Sequence, residues 1–259
     1  MIARDGLFGA CSGDWFPSPA HVMRRAAILD MFSHEPGGRL LEMGCGAGRM
    51  LVDWSTLGHR GEAVDVDSTA RSLAAQCVDE FKLDFAVGKT PQGEQFDYLV
   101  ATEVLEHVEE PGELLKTWAA KVKPGGLALL TVPAFQRLWG KSDEWAGHVQ
   151  RFEPGEFRQI VENAGLEVID MRLYGFPLGN FIRHAGNVAS AMKMKRRSAA
   201  LSRDAATFAS GHDRSVERKL APLMRSWPGK MILTIACALQ RRFPGRGHGI
   251  IILARKVPA

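Results

Sequence analysis

Residues 39–49 read RLLEMGCGAGR, an apolar run that passes directly into three alternate glycines, Gly44, Gly46 and Gly48. Glycine admits positive φ and lets a ligand approach the backbone closely, at an entropic cost that an ordinary loop would avoid. A strand, a glycine loop and then a helix would present backbone N–H groups and a helix N-terminus to a polar ligand. The dinucleotide fingerprint GxGxxG would need glycine at 49, where this chain has Arg49. Asp65, twenty-one residues beyond Gly44 and at the end of the next apolar run, stands where a carboxylate accepts both hydroxyls of a ribose. A nucleoside therefore fits better than a pyrophosphate. Packing alone would explain glycines in a tight turn, but not the acids Glu42 and Asp65 placed around them.

Short apolar runs alternate with longer helical ones from Arg39 to about Pro133, which predicts a parallel sheet with helices on its faces. Strands are expected at RLLEM, GEAVDV, LDFAV, FDYLVA and GLALLTV, with helices at 47–57, 68–80 and 111–121, the last stopping at KPGG. PSPAHVMRRAAILDMF precedes them as an amphipathic helix started by Pro19, and RFEPGEFRQIVENAG follows as another helix. LEVIDMRLYGF and GIIILARK read as the sixth and seventh strands, about 70 residues apart, far beyond a usual connection. The stretch between them has helical spacing and predicts an inserted cap. The expected organisation is a helical segment at 1–36, a core at 37–176 and 247–259, and a basic helical insert at 177–246.

Charge separates that insert from the rest. Between Arg183 and Arg246 lie 14 basic and three acidic residues, leaving 19 basic and 26 acidic elsewhere. Met1 is not followed by the unbroken apolar run of a signal peptide, and no apolar run approaches the ~18 residues of a spanning helix. The four cysteines (Cys11, Cys45, Cys77, Cys237) are scattered without metal-ligand spacing. A cytoplasmic protein with reduced thiols is expected.

LLEMGCGAG, EAVDVD, FDYLVATEVLEHVEEP and VKPGGLALLTVP, in that order, resemble the successive motifs of class I S-adenosylmethionine-dependent methyltransferases. The EVLEHVEEP phrase is most similar to ubiquinone-pathway O-methyltransferases and their small-molecule relatives. The resemblance covers roughly residues 15–175 and the last strand. It implies an α/β Rossmann-like, doubly wound seven-stranded sheet with the last strand antiparallel and, here, a helical insert between the last two strands. It also implies S-adenosyl-L-methionine as cofactor and S-adenosyl-L-homocysteine as product. By the same resemblance Gly44, Gly46 and Gly48 would lie against the cofactor's methionine portion and ribose, and Glu42 near its amino group. Asp65 would grip the ribose and Val66 would pack on the adenine, while Thr102 and Glu103 would face the methionine half. Relatives often carry an Asp after the third strand for the adenine amine; Lys89 stands there in this chain, so that contact falls to backbone near Gly88.

A hydroxyl or amine acceptor needs a base for its proton. Relatives with a GHxxRF stretch, here GHVQRF, place it over the substrate mouth, which makes His148 the candidate catalytic residue; the competing role is that His148 and Arg151 pin the loop. His107 is a second candidate. Glu103, Glu106 and His107 have the i, i+3, i+4 spacing of a possible ligand set, similar to one that ubiquinone-pathway enzymes are thought to use. Acids beside a histidine usually solvate a surface, and no metal is expected. Trp15 and Phe16 could cover the cofactor or pack in the core, and His21, Arg24 and Arg25 are read as a solvated helix face.

The expected activity is methyl transfer to a small or medium organic acceptor, at oxygen before nitrogen or carbon, by in-line displacement. The alternatives are an RNA or protein methyltransferase using the basic insert and a non-catalytic cofactor-binding module. KMKRR at 193–197 with Arg203, Arg214, Arg218, Lys219, Arg225, Lys230, Arg241 and Arg242 has several readings. It could attract an acidic acceptor, rest on anionic lipid with the help of MILTIACAL, or form a solvated surface or dimer face. Nucleic acid is not expected, since interleaved aromatics are few. The acceptor's identity and the oligomeric state are open.

Overall fold

The computed structural model describes residues 6–10, 15–196 and 215–258. Cys11, Arg203, Arg214 and Arg197 of the basic run lie outside the described residues. Helix α1 (Pro19–Phe32) starts with Pro19 in its first turn and the Ser18 side chain accepting from His21 N. Strand β1 (Arg39–Met43) leads through the glycine loop into α2 (Arg49–Thr56), and β2 (Arg60–Val64) into α3 (Ser68–Phe81). Asp67 caps α3 by accepting from Thr69 N and Ala70 N. Then come β3 (Phe85–Gly88), β4 (Phe96–Thr102), α4 (Pro111–Ala119), β5 (Val122–Pro133), α5 (Lys141–Ala146), α6 (Pro154–Asn163) and β6 (Leu166–Gly175). Helices α7 (Gly179–Arg196), α8 (Ser215–Arg225) and α9 (Trp227–Arg242) precede β7 (Gly247–Lys256).

The seven strands form one sheet in the order β3-β2-β1-β4-β5-β7-β6. Pairs β2–β3, β1–β2, β1–β4 and β4–β5 are parallel, and β7 runs antiparallel to both β5 and β6. This is the expected α/β sheet, last strand reversed. The strand order reverses between β1 and β4, and the crevice at such a switch point is where open α/β sheets bind ligands.

Alternate residues of the central strands feed opposite faces. Leu40 and Val100 enter one buried cluster with Phe32, Trp54 and Tyr98, whereas Leu41 and Leu99 enter the other with Trp118, Phe152 and Phe157. Strands covered on both sides read as nearly continuous apolar runs, as β1 and β5 do. A third cluster joins Phe8, Phe16, Val22 and Met23 to Met224, Leu233, Ala236 and Cys237, and so fastens α8 and α9 onto α1.

Most boundaries fall within about two residues of expectation, but the junction of α4 and β5 differs more. Helix α4 ends at Ala119, and KPGG belongs to β5, where Val122 pairs with Phe96 before a register shift brings Leu127 opposite Tyr98. A turn signal read locally misses pairing supplied by a strand 26 residues away. The short α5 and the 3-10 turn Leu105–His107 had no periodic signal long enough to detect.

Candidate functional site

Gly44, Gly46 and Gly48 have φ of 72°, 53° and 70°, all left-handed, but they are not equivalent. A Cβ on Gly44 would collide with the Val104 side chain, and one on Gly48 would press the α3 backbone at Ala74 at 3.0 Å. A Cβ on Gly46 would meet nothing within 4 Å. Internal packing thus requires the outer two glycines, while the middle one leaves bare backbone facing open space.

That bare backbone lies beside Asp65. Gly46 N donates to Asp65 Oδ2 at 2.9 Å, and Asp67 N donates to Oδ1 at 2.9 Å. A carboxylate has about four acceptor positions, so two remain for hydroxyls of a ligand. Val66, the next residue, is 68 % exposed, an apolar side chain turned to solvent just past β2. Lys89, just beyond β3, is exposed.

Glu42 lies beneath the loop, 2 % exposed, with the Trp54 indole donating to its carboxylate at 3.2 Å. Burial raises its pKa to about 8, against the lowering effect of the indole.

At the tip of β4, half-buried Thr102 is followed by Glu103 at φ 56°, a conformation unusual for a residue with a Cβ. Its carboxylate accepts from the hydroxyls of Tyr174 at 2.7 Å and Thr131 at 3.2 Å and pairs with Arg24 at 3.4 Å. Burial would raise its pKa, but Arg24 and the Tyr174 hydroxyl hold it below the usual carboxylate range.

Glu106 and His107 sit in the 3-10 turn that follows. Glu106 is fully buried, and no hydrogen bond reaches either of its carboxylate oxygens. His107 Nε2 and His148 Nε2 stand 3.9 and 3.8 Å from Glu106 Oε1, with the two imidazole rings 4.8 Å apart. Burial, with the Glu103 charge adding to it, pushes the Glu106 pKa well up. Burial and then the neighbouring His148 push His107 down to about 4.

His148 is held from behind. Its Nδ1 lies 2.9 Å from Asp143 Oδ1, an oxygen that also accepts from Arg151 Nε at 2.8 Å. Gly140 N donates to the other Asp143 oxygen at 2.8 Å, and Arg151 Nη1 donates to Ala134 O at 3.0 Å. Burial acts to raise the Asp143 pKa, but the His148 bond and the Arg151 charge bring it below normal. An ionised carboxylate can only accept, so Nδ1 is the donor in this pair, and Nε2 is the ring nitrogen turned toward Glu106.

The expectation of a solvated surface at Glu106 is therefore overturned: the 3-10 turn drives this acid inward. Nor do the three residues of the i, i+3, i+4 spacing share a face, because the positive φ at Glu103 sends its carboxylate to Tyr174 and Arg24. Among the described residues, the group whose ligand atoms all lie within 4.8 Å of one another is Glu106, His107 and His148. Two imidazoles and a carboxylate are a donor set suited to a divalent ion, and the Asp143–His148 pair resembles the outer-shell support such ligands receive. The solvated-face reading of Arg24 and Arg25 fails as well, since Arg25 is buried and bonds both Asp53 oxygens at 2.7 and 2.6 Å. Phe16 is core, and Trp15 stacks edge-on with His21 beneath the Arg49 guanidinium.

Sequence reasoning missed Asp143, Tyr174 and the burial of Glu106. Asp143 looks like any acid in the first turn of a short helix, and its five-residue distance to His148 carries no signal without the loop's shape.

The methyltransferase domain family matches residues 20–171. A ubiquinone biosynthesis O-methyltransferase of Bradyrhizobium sp. (strain ORS 278) is 36 % identical over 123 residues, 45 % of this chain and 46 % of that protein. The match thus spans about half the length of that curated relative. Among solved structures, the [4+2]-cyclase SpnF superposes with a TM-score of 0.59 at 17 % identity, covering 97 % of this chain and 86 % of the other. A 1,6-didemethyltoxoflavin-N1-methyltransferase from Burkholderia thailandensis, solved with S-adenosylhomocysteine, has a TM-score of 0.52 at 17 % identity, covering 91 % and 77 %. At these identities the two structures speak to the fold alone.

Proposed function

This chain belongs to the methyltransferase domain family, and on that premise we propose that it transfers the methyl group of S-adenosylmethionine to an oxygen of a small or medium organic acceptor. The observation carrying this reading is the bare backbone at Gly46 beside the Asp65 carboxylate. Asp65 grips the ribose hydroxyls with its remaining lone pairs, and Val66 offers an apolar edge to the adenine. Gly44, Gly46 and Gly48 shape the floor beneath the methionine portion. Glu42 meets its ammonium, directly or through water, and that positive charge draws the proton off the buried carboxyl group; Thr102 and Glu103 bound its far side, with Glu103 held by Tyr174, Thr131 and Arg24.

When bound, the cofactor supplies a sulfonium-activated methyl group, so the protein generates no electrophile. The chain must hold the acceptor oxygen in line with the methyl group and remove its proton. His148 takes the proton on Nε2, and Asp143 steadies the resulting imidazolium through Nδ1, a division of labour known from other carboxylate–histidine pairs. The Asp143–Arg151 pair also pins the loop. If a divalent ion binds, Glu106, His107 and His148 would hold it; His148 Nε2 would then be a ligand instead of the base, and the ion would supply a Lewis acid for the acceptor oxygen. The site lies at the carboxyl ends of β4 and β5, beside the cofactor crevice.

Calorimetry with S-adenosylmethionine and NAD tests the cofactor assignment. Binding of the first in the micromolar class, about −8 kcal/mol, and none of the second is expected; the reverse would sink it. Incubation with methyl-labelled cofactor and a panel of phenols, catechols and carboxylates tests the reaction. Binding without turnover across the panel would favour a non-catalytic cofactor-binding module, and turnover only with RNA or protein would favour the other alternative.

A further inference from the structure

Helix α9 has two unlike faces. Leu233, Ala236, Cys237 and Gln240 are buried, and Gln240 bonds Gly175 N and Met23 O. On the outward side, Trp227 is 75 % exposed, Ile232 54 %, Ile235 51 %, Met231 41 % and Leu239 37 %. Trp227, Met231, Ile235 and Leu239 recur every fourth residue, so they form one stripe along the helix. Leu223 of α8 and Phe243 just past α9 are exposed at its two ends. Scattered exposed apolar residues are ordinary; a contiguous stripe marks an interaction surface.

The charge around the stripe points to its partner. From Arg218 to the last residue there is no Asp or Glu, while Arg218, Lys219, Arg225, Lys230, Arg241, Arg242 and Arg246 are all basic. Four of these cations lie beside aromatic rings or an acid: Arg225 over Phe16, Lys230 over Phe8, Arg246 over Phe176 and Phe243, and Arg241 against Asp30. Phe8 and Phe16 are buried in the cluster beneath α8 and α9, so the cations over them hold these helices down, whereas Arg246 over the exposed Phe243 stands at one end of the stripe. Apolar residues on one face of a helix, a tryptophan among them and Lys or Arg at the margins, are the arrangement that lies in a membrane interface.

We propose that the outward face of α9, with Leu223 and Phe243 at its ends, docks the protein on an anionic lipid surface. A second copy of the chain is the poorer occupant. A two-fold contact would set this cationic, acid-free segment against itself, with like charges opposed. Nucleic acid is poorer too, because the stripe itself offers aliphatic groups rather than stacking or hydrogen-bonding ones. Docking uses the apolar residues for depth and the cations for choice of lipid. Among the described residues no helix is long and apolar enough to cross a membrane, so the contact is peripheral.

Co-flotation of the full chain with vesicles tests this. Binding to phosphatidylcholine vesicles containing phosphatidylglycerol is expected, together with weak binding to phosphatidylcholine alone and loss at high salt. The double variant Ile232→Ser, Ile235→Ser and the variant Arg242→Glu should each weaken vesicle binding by about tenfold or more, with unchanged circular dichroism and melting temperature. No binding to the anionic vesicles would overturn the proposal. So would a concentration-dependent dimer abolished by the serine variant, or tRNA binding abolished by Arg242→Glu but untouched by the serines. Vesicle binding needs no methyl donor, so its failure leaves the proposed chemistry standing, and the reverse holds as well.

Discussion

Asp143 accepts from His148 Nδ1 at 2.9 Å and from Arg151 Nε at 2.8 Å through the same oxygen. One buried carboxylate thereby sets the tautomer of the candidate base and pins its loop. Asp143→Asn keeps the volume but presents an amide that can turn an N–H toward His148. Turnover should fall by more than about tenfold, while KM for the acceptor changes little. Stability should drop by about 1–3 kcal/mol, because Arg151 and Gly140 N lose a charged acceptor. Equal turnover in a well-folded variant would remove His148 from the chemistry and leave only the pinning role.

The cofactor assignment predicts a split between binding and stability. Val66 is exposed, so Val66→Ser should leave the melting temperature within about 1–2 °C, as surface substitutions do, yet weaken S-adenosylmethionine binding in calorimetry. Asp65→Ala should weaken it further, by removing the ribose acceptor. If both variants bind as the parent does, the cofactor lies elsewhere.

Glu42 makes stability depend on pH. Its folded pKa of about 8 exceeds the ordinary 4.5, so between those values the native state holds a proton that the unfolded state releases. This contribution is fully present below pH 4.5 and is lost as pH rises through about 8. Thermal melts of Glu42→Gln should fall less steeply over that window than those of the parent, by an amount on the order of a few kcal/mol across it. Parallel pH profiles would mean that the carboxylate is already ionised at neutral pH.

Glu106, His107 and His148 predict metal binding with a spectroscopic readout. Cobalt(II) should develop visible absorption with intensity typical of low coordination number, and His148→Ala or Glu106→Gln should abolish it. A featureless titration in the parent chain would leave these residues as proton carriers alone. Glu106→Gln also replaces a fully buried carboxyl group that lacks hydrogen-bond partners, so it should not destabilise the fold; a loss beyond about 2 kcal/mol would show an unseen partner.

The sheet was largely legible in the sequence. RLLEM, FDYLVA and GLALLTV are runs whose apolar content implies burial on both faces, and Pro19, Pro111 and Pro154 mark helix starts that the structure retains. The glycine loop was legible for a similar local reason: positive φ at alternate positions after a strand leaves a trace in residue type. Which glycine borders open space was not, because the room at Gly44 and Gly48 is taken by Val104 and Ala74, residues brought there by other elements.

By itself, then, the sequence determined the succession of strands and helices, the turn that bares Gly46, and the cationic, acid-free character of the segment ending at β7. These follow from periodicity, backbone stereochemistry and charge, which act over a few residues. Only the tertiary structure decided that Glu103 turns to Tyr174 and Arg24, that Glu106 is sealed from water between two imidazoles, and that Asp143 stands behind His148. The reason is physical: a group's protonation and partners depend on burial and on neighbours from distant parts of the chain, and both arise only when the strands have come together.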